Sequence, residues 1–250
     1  MFARALCRRL RIEAALSALD KGRLRLPVVN LAALFDDFST QPVTLHELPT
    51  GQWSSPIADA VMLAKIAKCL RCKRVLEIGS FRGYTTKLLA EHTGPDTRIV
   101  ALDSDARHGA AYRDTPLAAK IERRVGVVGA AAFAEDARQS YDLIFIDSDH
   151  TYGAVKHDTE VMLPLLAPKG IMLWHDYANW GRFSKRNGVP EALHELAQTL
   201  PVVAIGGSWL AAYSPSWASG AGAERLAKAR HASGEGLPGD DPWSTSDLRG

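Results

Sequence analysis

The chain has 250 residues, 46% of them hydrophobic and 23% charged, with a formal net charge of +2. That length suits one substantial core with extensions at its ends, and the near-neutral charge argues against a dedicated nucleic-acid binder, whose phosphate contacts leave a strongly basic face. No apolar run reaches the ~18 residues of a membrane span and no signal-peptide core follows the start, so no integral membrane segment and a cytoplasmic location are expected.

The first 25 residues carry seven Arg or Lys against Glu13 and Asp20, with Phe2, Ala5, Leu6, Leu10 and Leu16 in helical spacing. This reads as a helix packed on the domain or on a second copy, giving a homodimer through the N-terminal segment; an anionic membrane contact and an organelle presequence are the alternatives. Residues 1–50 are taken as an N-terminal helical extension. Residues 56–70 then repeat apolar side chains at Ile57, Val61, Met62, Ile66, Cys69 and Leu70, a helix with Ser55 as N-cap and Pro56 at its first position. The three cysteines, Cys7, Cys69 and Cys72, fit a reducing compartment, and the Cys69-x-x-Cys72 pair falls where a helix ends, as packing residues do.

Strand-like runs follow at Arg74 to Ile78, Arg98 to Leu102, Val125 to Val128, Leu143 to Ile146 and Ile171 to Trp174, mostly separated by helical segments. Continuous apolar strands joined by helices predict an α/β fold with a doubly wound, mostly parallel sheet, ligands binding at the carboxyl ends of its strands. After a helix over Val189 to Leu200, "PVVAIGGSWLAAY" reads as an antiparallel hairpin around Gly206-Gly207, which brings the expected sheet to seven strands. The domain is expected over 51–217. From Ala218 the chain is rich in Gly, Ala, Ser, Pro and charge, and 218–250 is expected to be a loosely ordered tail.

"VLEIGSFRGYTTKLLA" places Gly79 and Gly83 at a strand-to-helix turn. A dinucleotide fingerprint needs G-x-G-x-x-G, and here Phe81 stands where its second glycine belongs, so the pyrophosphate cradle is incomplete. Glu77 at the strand end suits an ammonium group, and Asp103, at the end of the next strand, accepts hydrogen bonds from two ribose hydroxyls. A ligand with ribose and ammonium but no phosphate is implied. A nicotinamide oxidoreductase and a non-catalytic nucleoside-binding module are the alternatives from other classes.

The pattern Glu77-x-Gly79-x-x-x-Gly83-Tyr84-Thr85 resembles the first motif of class I S-adenosylmethionine-dependent methyltransferases. The likeness is to the metal-dependent catechol and caffeoyl-CoA O-methyltransferases and the macrocin O-methyltransferase group, over about Gln52 to Tyr213. By that resemblance Glu77 holds the methionine amine, Gly79 and Ser80 line the cofactor, Thr85 meets its carboxylate, Asp103 holds the ribose, and Gly129 and Ala130 lie near the adenine. Phe81, Gly83, Ser104 and Asp147 complete the expected cofactor-binding set.

Two further motifs, "YDLIFIDSDHTYG" and "GIMLWHDYANWG", end strands at Asp147 and at His175-Asp176. In the resembled enzymes an Asp at the first place and an Asp-Asn pair at the second bind a divalent cation, which assigns Asp147 and Asp176 by position. His175 stands where the catechol-type enzymes have Asp, and is a secondary ligand. Magnesium, which prefers oxygen, is the expected ion, while imidazole coordination would tilt the choice toward a transition metal. His150, three residues after Asp147, matches the catalytic lysine of the catechol enzyme and is the expected general base, with an unperturbed pKa near ~6.5. Asp147 and Asp176 complete the catalytic set. His46, His92, His108, His157, His194 and His231 are read as structural or exposed. In the insertion Tyr177 to Gly188, Trp180 and Phe183 offer stacking surfaces and Arg182, Lys185 and Arg186 an anion contact. The resemblance thus implies methyl transfer to a hydroxyl of a small molecule, a sugar or natural-product scaffold, with a phenol or catechol as the near alternative.

Overall fold

The computed structural model describes residues 26–47, 55–178 and 187–232. Their strands are β1 (Val28–Val29), β2 (Arg74–Ile78), β3 (Arg98–Asp103), β4 (Ile121–Val125), β5 (Tyr141–Ile146), β6 (Leu166–Trp174), β7 (Val203–Ile205) and β8 (Ala211–Tyr213). They form one eight-stranded sheet in the order β1-β7-β8-β6-β5-β2-β3-β4. Every neighbouring pair is parallel except those of β8, which runs antiparallel to β6 and β7. The α-helices are α1 (Leu31–Leu34), α2 (Ile57–Leu70), α3 (Tyr84–His92), α4 (Ala110–Arg113), α5 (Tyr152–Met162), α6 (Val189–Leu196) and α7 (Gly220–Ala232).

Side chains on a strand alternate between faces, so a strand apolar at successive positions must be covered on both. In β2, Val75 belongs to one buried cluster with Ile99, Leu143, Phe145 and Leu173, against α2 and α7. Leu76 belongs to the other, with Val100, Ile144, Met172 and Trp174, against α5 and α6. From β2 the chain winds outward through β3 and β4, then crosses to β5 on the other side. The carboxyl ends of β2 and β5 therefore flank the reversal point, where such sheets open a crevice.

Several expectations need correction. The sheet has eight strands rather than seven, because residues assigned to an N-terminal extension supply β1, which pairs with β7, while Leu26, Leu31 and Leu34 are buried. The domain thus begins before residue 51. It also continues past 217: α7 buries Leu226 and Ala229, and the Arg225 guanidinium donates to the Leu34 carbonyl, so 220–232 is not a loose tail. The strand expected over Val125 to Val128 lies at Ile121–Val125, and its ladder stops where Gly126 takes a φ of 158°. Pro56 is the N-cap of α2, and Ser55 makes no capping bond. The helix buries Asp59, Leu63, Ile66 and Ala67, whereas Ile57, expected on the apolar face, is exposed. The helix expected over Val189 to Leu200 ends at Leu196.

Cys69 is half-buried and Cys72 buried; burial pushes the Cys69 thiol up to about 12, so neither is a reactive thiol. No helix of the described residues is long and apolar enough to cross a membrane. The expectations for the basic segment 1–25, for Trp180, Arg182, Phe183, Lys185 and Arg186, and for 233–250 lie outside the described residues.

Candidate cofactor and metal site

The turn between β2 and α3 needs both its glycines. Gly79 has a φ of 89°, and a Cβ there would drive into the Asp147 carbonyl oxygen; at Gly83, with a φ of 88°, it would meet the Tyr112 ring at 2.7 Å. Gly79 thus serves first to let the turn close on the end of β5. Phe81 takes a left-handed φ of 45°, which side chains with a Cβ rarely adopt. Two backbone bonds hold it there: its N–H donates to Asp103 Oδ2 at 2.7 Å, and its carbonyl accepts from Gly109 N–H at 2.7 Å.

Glu77 is fully buried. Its Oε2 accepts from the Thr86 hydroxyl, while Oε1 has no hydrogen-bond partner among the described residues. Burial pushes its carboxyl up to about 8, against the Thr86 bond, because the anion has lost its water. A buried acceptor without a donor fits an ammonium group. The Ser80 hydroxyl is likewise buried and without a partner among the described residues. Gly79, Ser80, Phe81, Gly83, Thr85 and Asp147 line one cleft, together with Leu45, His46 and Glu47, which no motif points to.

Asp103 is more occupied than expected. Its Oδ1 accepts from Asp105 N–H at 2.9 Å and faces His108 Nδ1 at 2.8 Å, and its Oδ2 accepts from Phe81 N–H. Of about four acceptor positions on a carboxylate, one remains for a ribose hydroxyl, not two. His108 is therefore part of this corner, its ring edge-on to Phe81 with centroids 4.9 Å apart. Ser104 and Ala130 are exposed and Gly129 half-buried; Asp103, Ser104, Gly129 and Ala130 are not among the residues lining the cleft.

At the neighbouring strand ends, Asp147, His150, His175 and Asp176 each present a donor atom within 4.8 Å of the others. Asp147 follows β5 and its N–H donates to the Ile78 carbonyl. Asp176, after β6, has a left-handed φ of 58°, a conformation that Asp tolerates better than most residues. His150 Nε2 lies 2.8 Å from Asp176 Oδ2 and 3.3 Å from Asp147 Oδ1. His175 Nδ1 lies 3.3 Å from Asp147 Oδ1 and 3.5 Å from Asp176 Oδ1.

Burial opposes charge on Asp147, His150 and His175, and mutual attraction overcomes it. Burial alone would raise Asp147, yet His175 and His150 hold it well below the usual carboxylate range. Burial alone would lower His150, yet Asp147 and Asp176 push it up to about 9, away from the ordinary histidine value expected of it. His175 is raised well above its ordinary value by Asp147, Asp59 and Asp176 against the same opposition. The carboxylates thus draw both imidazoles toward their charged form, and an ion held by the carboxylates would compete with those protons.

Asp59 was not anticipated. It is 2% exposed on α2, pairs with His175 Nε2 at 2.9 Å through Oδ2, and accepts Trp209 N–H at 3.0 Å through Oδ1. Of the remaining histidines, His92 and His157 face backbone carbonyls and His194 faces the Tyr177 hydroxyl, as structural residues do. Asp149 accepts Thr151 N–H at the start of α5.

Residues 76–177 match the family model described as a methyltransferase domain. That segment, from β2 to just past β6, is similar to a methyltransferase domain. The chain is 27% identical over 151 residues to a caffeoyl-CoA O-methyltransferase of Populus kitakamiensis, covering 56% of this chain and 63% of that protein. It is 36% identical over 90 residues to a catechol O-methyltransferase of Mycobacterium tuberculosis, covering 35% of this chain and 41% of that protein. The alignments thus span less than two thirds of either relative. The fold matches the O-methyltransferase TomG of Streptomyces achromogenes in complex with SAM, with a TM-score of 0.54 at 17% identity, covering 73% of this chain and 96% of that one. It also matches an O-methyltransferase of Bacillus cereus in complex with SAH, with a TM-score of 0.52 at 17% identity over 74% and 90% of the two chains.

Proposed function

We propose that this protein transfers the methyl group of S-adenosylmethionine to a hydroxyl of a small molecule, with a divalent cation held by Asp147 and Asp176. One observation carries the reading: the glycine turn and the acid–imidazole cluster meet at Asp147, whose backbone leaves no room for a Cβ on Gly79 and whose side chain pairs with His150 and His175. A cofactor seated on that turn has its reactive end beside groups able to handle a proton.

Glu77 Oε1 takes the cofactor's ammonium and Asp103 Oδ2 a ribose hydroxyl, which orients the sulfonium methyl toward the strand ends. The methyl is already electrophilic, so the protein's remaining task is to align an oxygen with it and accept the oxygen's proton. His150, 37% exposed at its side chain and within 3.3 Å of both acids, is the group that accepts it at Nε2. A divalent cation at Asp147 and Asp176 would lower the hydroxyl pKa and draw off the charge that keeps His150 protonated.

The acceptor proposed is a sugar or natural-product hydroxyl. The names of the two sequence relatives favour a second reading, a phenolic or catechol acceptor. Calorimetric titration with S-adenosylhomocysteine and, separately, NAD tests the class: binding of the first alone is expected, and binding of NAD alone would overturn it. Methyl transfer from labelled cofactor to a panel of sugars, phenols and catechols then decides the acceptor.

A further inference from the structure

His175 meets a carboxylate at each of its ring nitrogens. Its Nε2 lies 2.9 Å from Asp59 Oδ2, and Asp59 already accepts Trp209 N–H through its other oxygen. A carboxylate accepting on both sides requires the ring hydrogen on Nε2. Nδ1 is then the atom that can give up its proton to an ion and offer a lone pair, and it faces Asp147 Oδ1 at 3.3 Å and Asp176 Oδ1 at 3.5 Å. A separation within 4.8 Å among all the donor atoms is the spread of one coordination sphere.

We infer that His175 is a direct metal ligand through Nδ1, held in that tautomer by Asp59, and that the site is built for an imidazole-accepting transition ion such as Co2+ or Zn2+ rather than for Mg2+. The inference rests on the proposal that a cation sits at Asp147 and Asp176. Magnesium takes oxygen ligands and keeps several waters, and gains little from a rigid imidazole. A carboxylate that receives the distal N–H of a ligating histidine fixes its ring and raises its basicity. That accounts for a carboxylate as buried as Asp59, whose other oxygen holds the Trp209 N–H. The His175 and Asp59 side chains, 6% and 3% exposed, come from different elements and are locked together inside the core.

Transition ions outbind Mg2+ at most nitrogen and oxygen sites, so the informative quantity is how His175 changes the selectivity. The full chain, stripped with chelator, is titrated with Co2+ and with Mg2+ by calorimetry, and the Co2+-loaded protein is examined by proton NMR. The wild type should show a strongly shifted, solvent-exchangeable imidazole N–H whose exchange is slowed by the Asp59 bond. His175→Asn, checked for folding by circular dichroism, should lose that resonance and reduce the Co2+/Mg2+ affinity ratio about 10–100-fold; Asp59→Asn should keep the resonance but shift it and speed its exchange. A Co2+-loaded wild type without the resonance, or a folded His175→Asn with unchanged selectivity, overturns the inference and leaves methyl transfer standing, since S-adenosylhomocysteine binding tests that separately. Failure of the wild type to bind either ion overturns both this inference and the cation in the proposed function.

Discussion

The carboxylates at two neighbouring strand ends are treated in opposite ways. At the end of β2, Glu77 is buried with one oxygen unpartnered among the described residues and its carboxyl raised to about 8. At the end of β5, Asp147 is surrounded by His150 and His175 and held below the usual range. One corner offers a buried acceptor that fits a cationic group; the other already pairs its carboxylate with two imidazoles. The difference teaches that burial of an acid does not identify its role, while the presence or absence of a partner does.

Several experiments break or sharpen this contrast. The largest effect is expected from metal removal: chelation should abolish turnover and re-addition restore it, and full activity in excess chelator by protein free of metal would leave Asp147 and Asp176 as structural or proton-handling residues. Next, His150→Ala should lower kcat about 10²–10⁴-fold with cofactor affinity nearly unchanged, since its proton moves only on the reaction path. If His150→Ala retains near wild-type turnover, the base lies elsewhere.

The Glu77 corner responds differently. Glu77→Gln should weaken S-adenosylhomocysteine binding about 10–100-fold, because the ammonium loses its counter-charge. Below pH 8 the wild type must release the Glu77 proton before it pairs with an ammonium, so affinity should fall as pH drops below about 8. The ligand's amine, that of a free amino acid beside its own carboxylate, keeps its charge well above that value, so affinity should rise toward about pH 8 and then level off, and this acidic limb should be missing in Glu77→Gln. The same substitution should stabilise the ligand-free protein. A carboxyl whose folded pKa is raised from 4.5 to about 8 destabilises the fold progressively as pH rises between those values, and fully above 8. Thermal melts at pH 5 and pH 8.5 check this: the variant's advantage should be clear at the higher pH and small at the lower. The smallest effect is expected from Asp103→Ala, which removes one ribose contact and frees Phe81 and His108, weakening cofactor binding by roughly 0.5–1.5 kcal/mol; unchanged affinity by calorimetry would remove Asp103 from the site.

The inner strands and the acids after them were legible because apolar runs, a glycine turn and strand-end acids are local patterns. What was missed depends on partners far along the chain. Asp59 sits at the same periodic position as Leu63, Ile66 and Ala67, on the stripe that is buried, but a pattern that counts only apolar residues rotates the helix away from it. Its partner His175 is 116 residues distant. His108 reads as one more loop histidine until the turn folds back to bring it against Asp103 and Phe81. The two residues of β1 are too short for any period, and α7 has the composition of a tail but a buried face against β1 and α1.

The absent side chain of Gly79 sets a limit on how this domain can be altered. Because the turn is closed onto the Asp147 carbonyl, the glycine loop and the acidic loop are in direct backbone contact, with no room for a side chain between them. A graft that replaces "GSFRGY" with the corresponding loop of another enzyme will seat only if "DSDH" travels with it or keeps the same backbone path. Cofactor preference and acceptor chemistry are therefore not interchangeable modules in this protein.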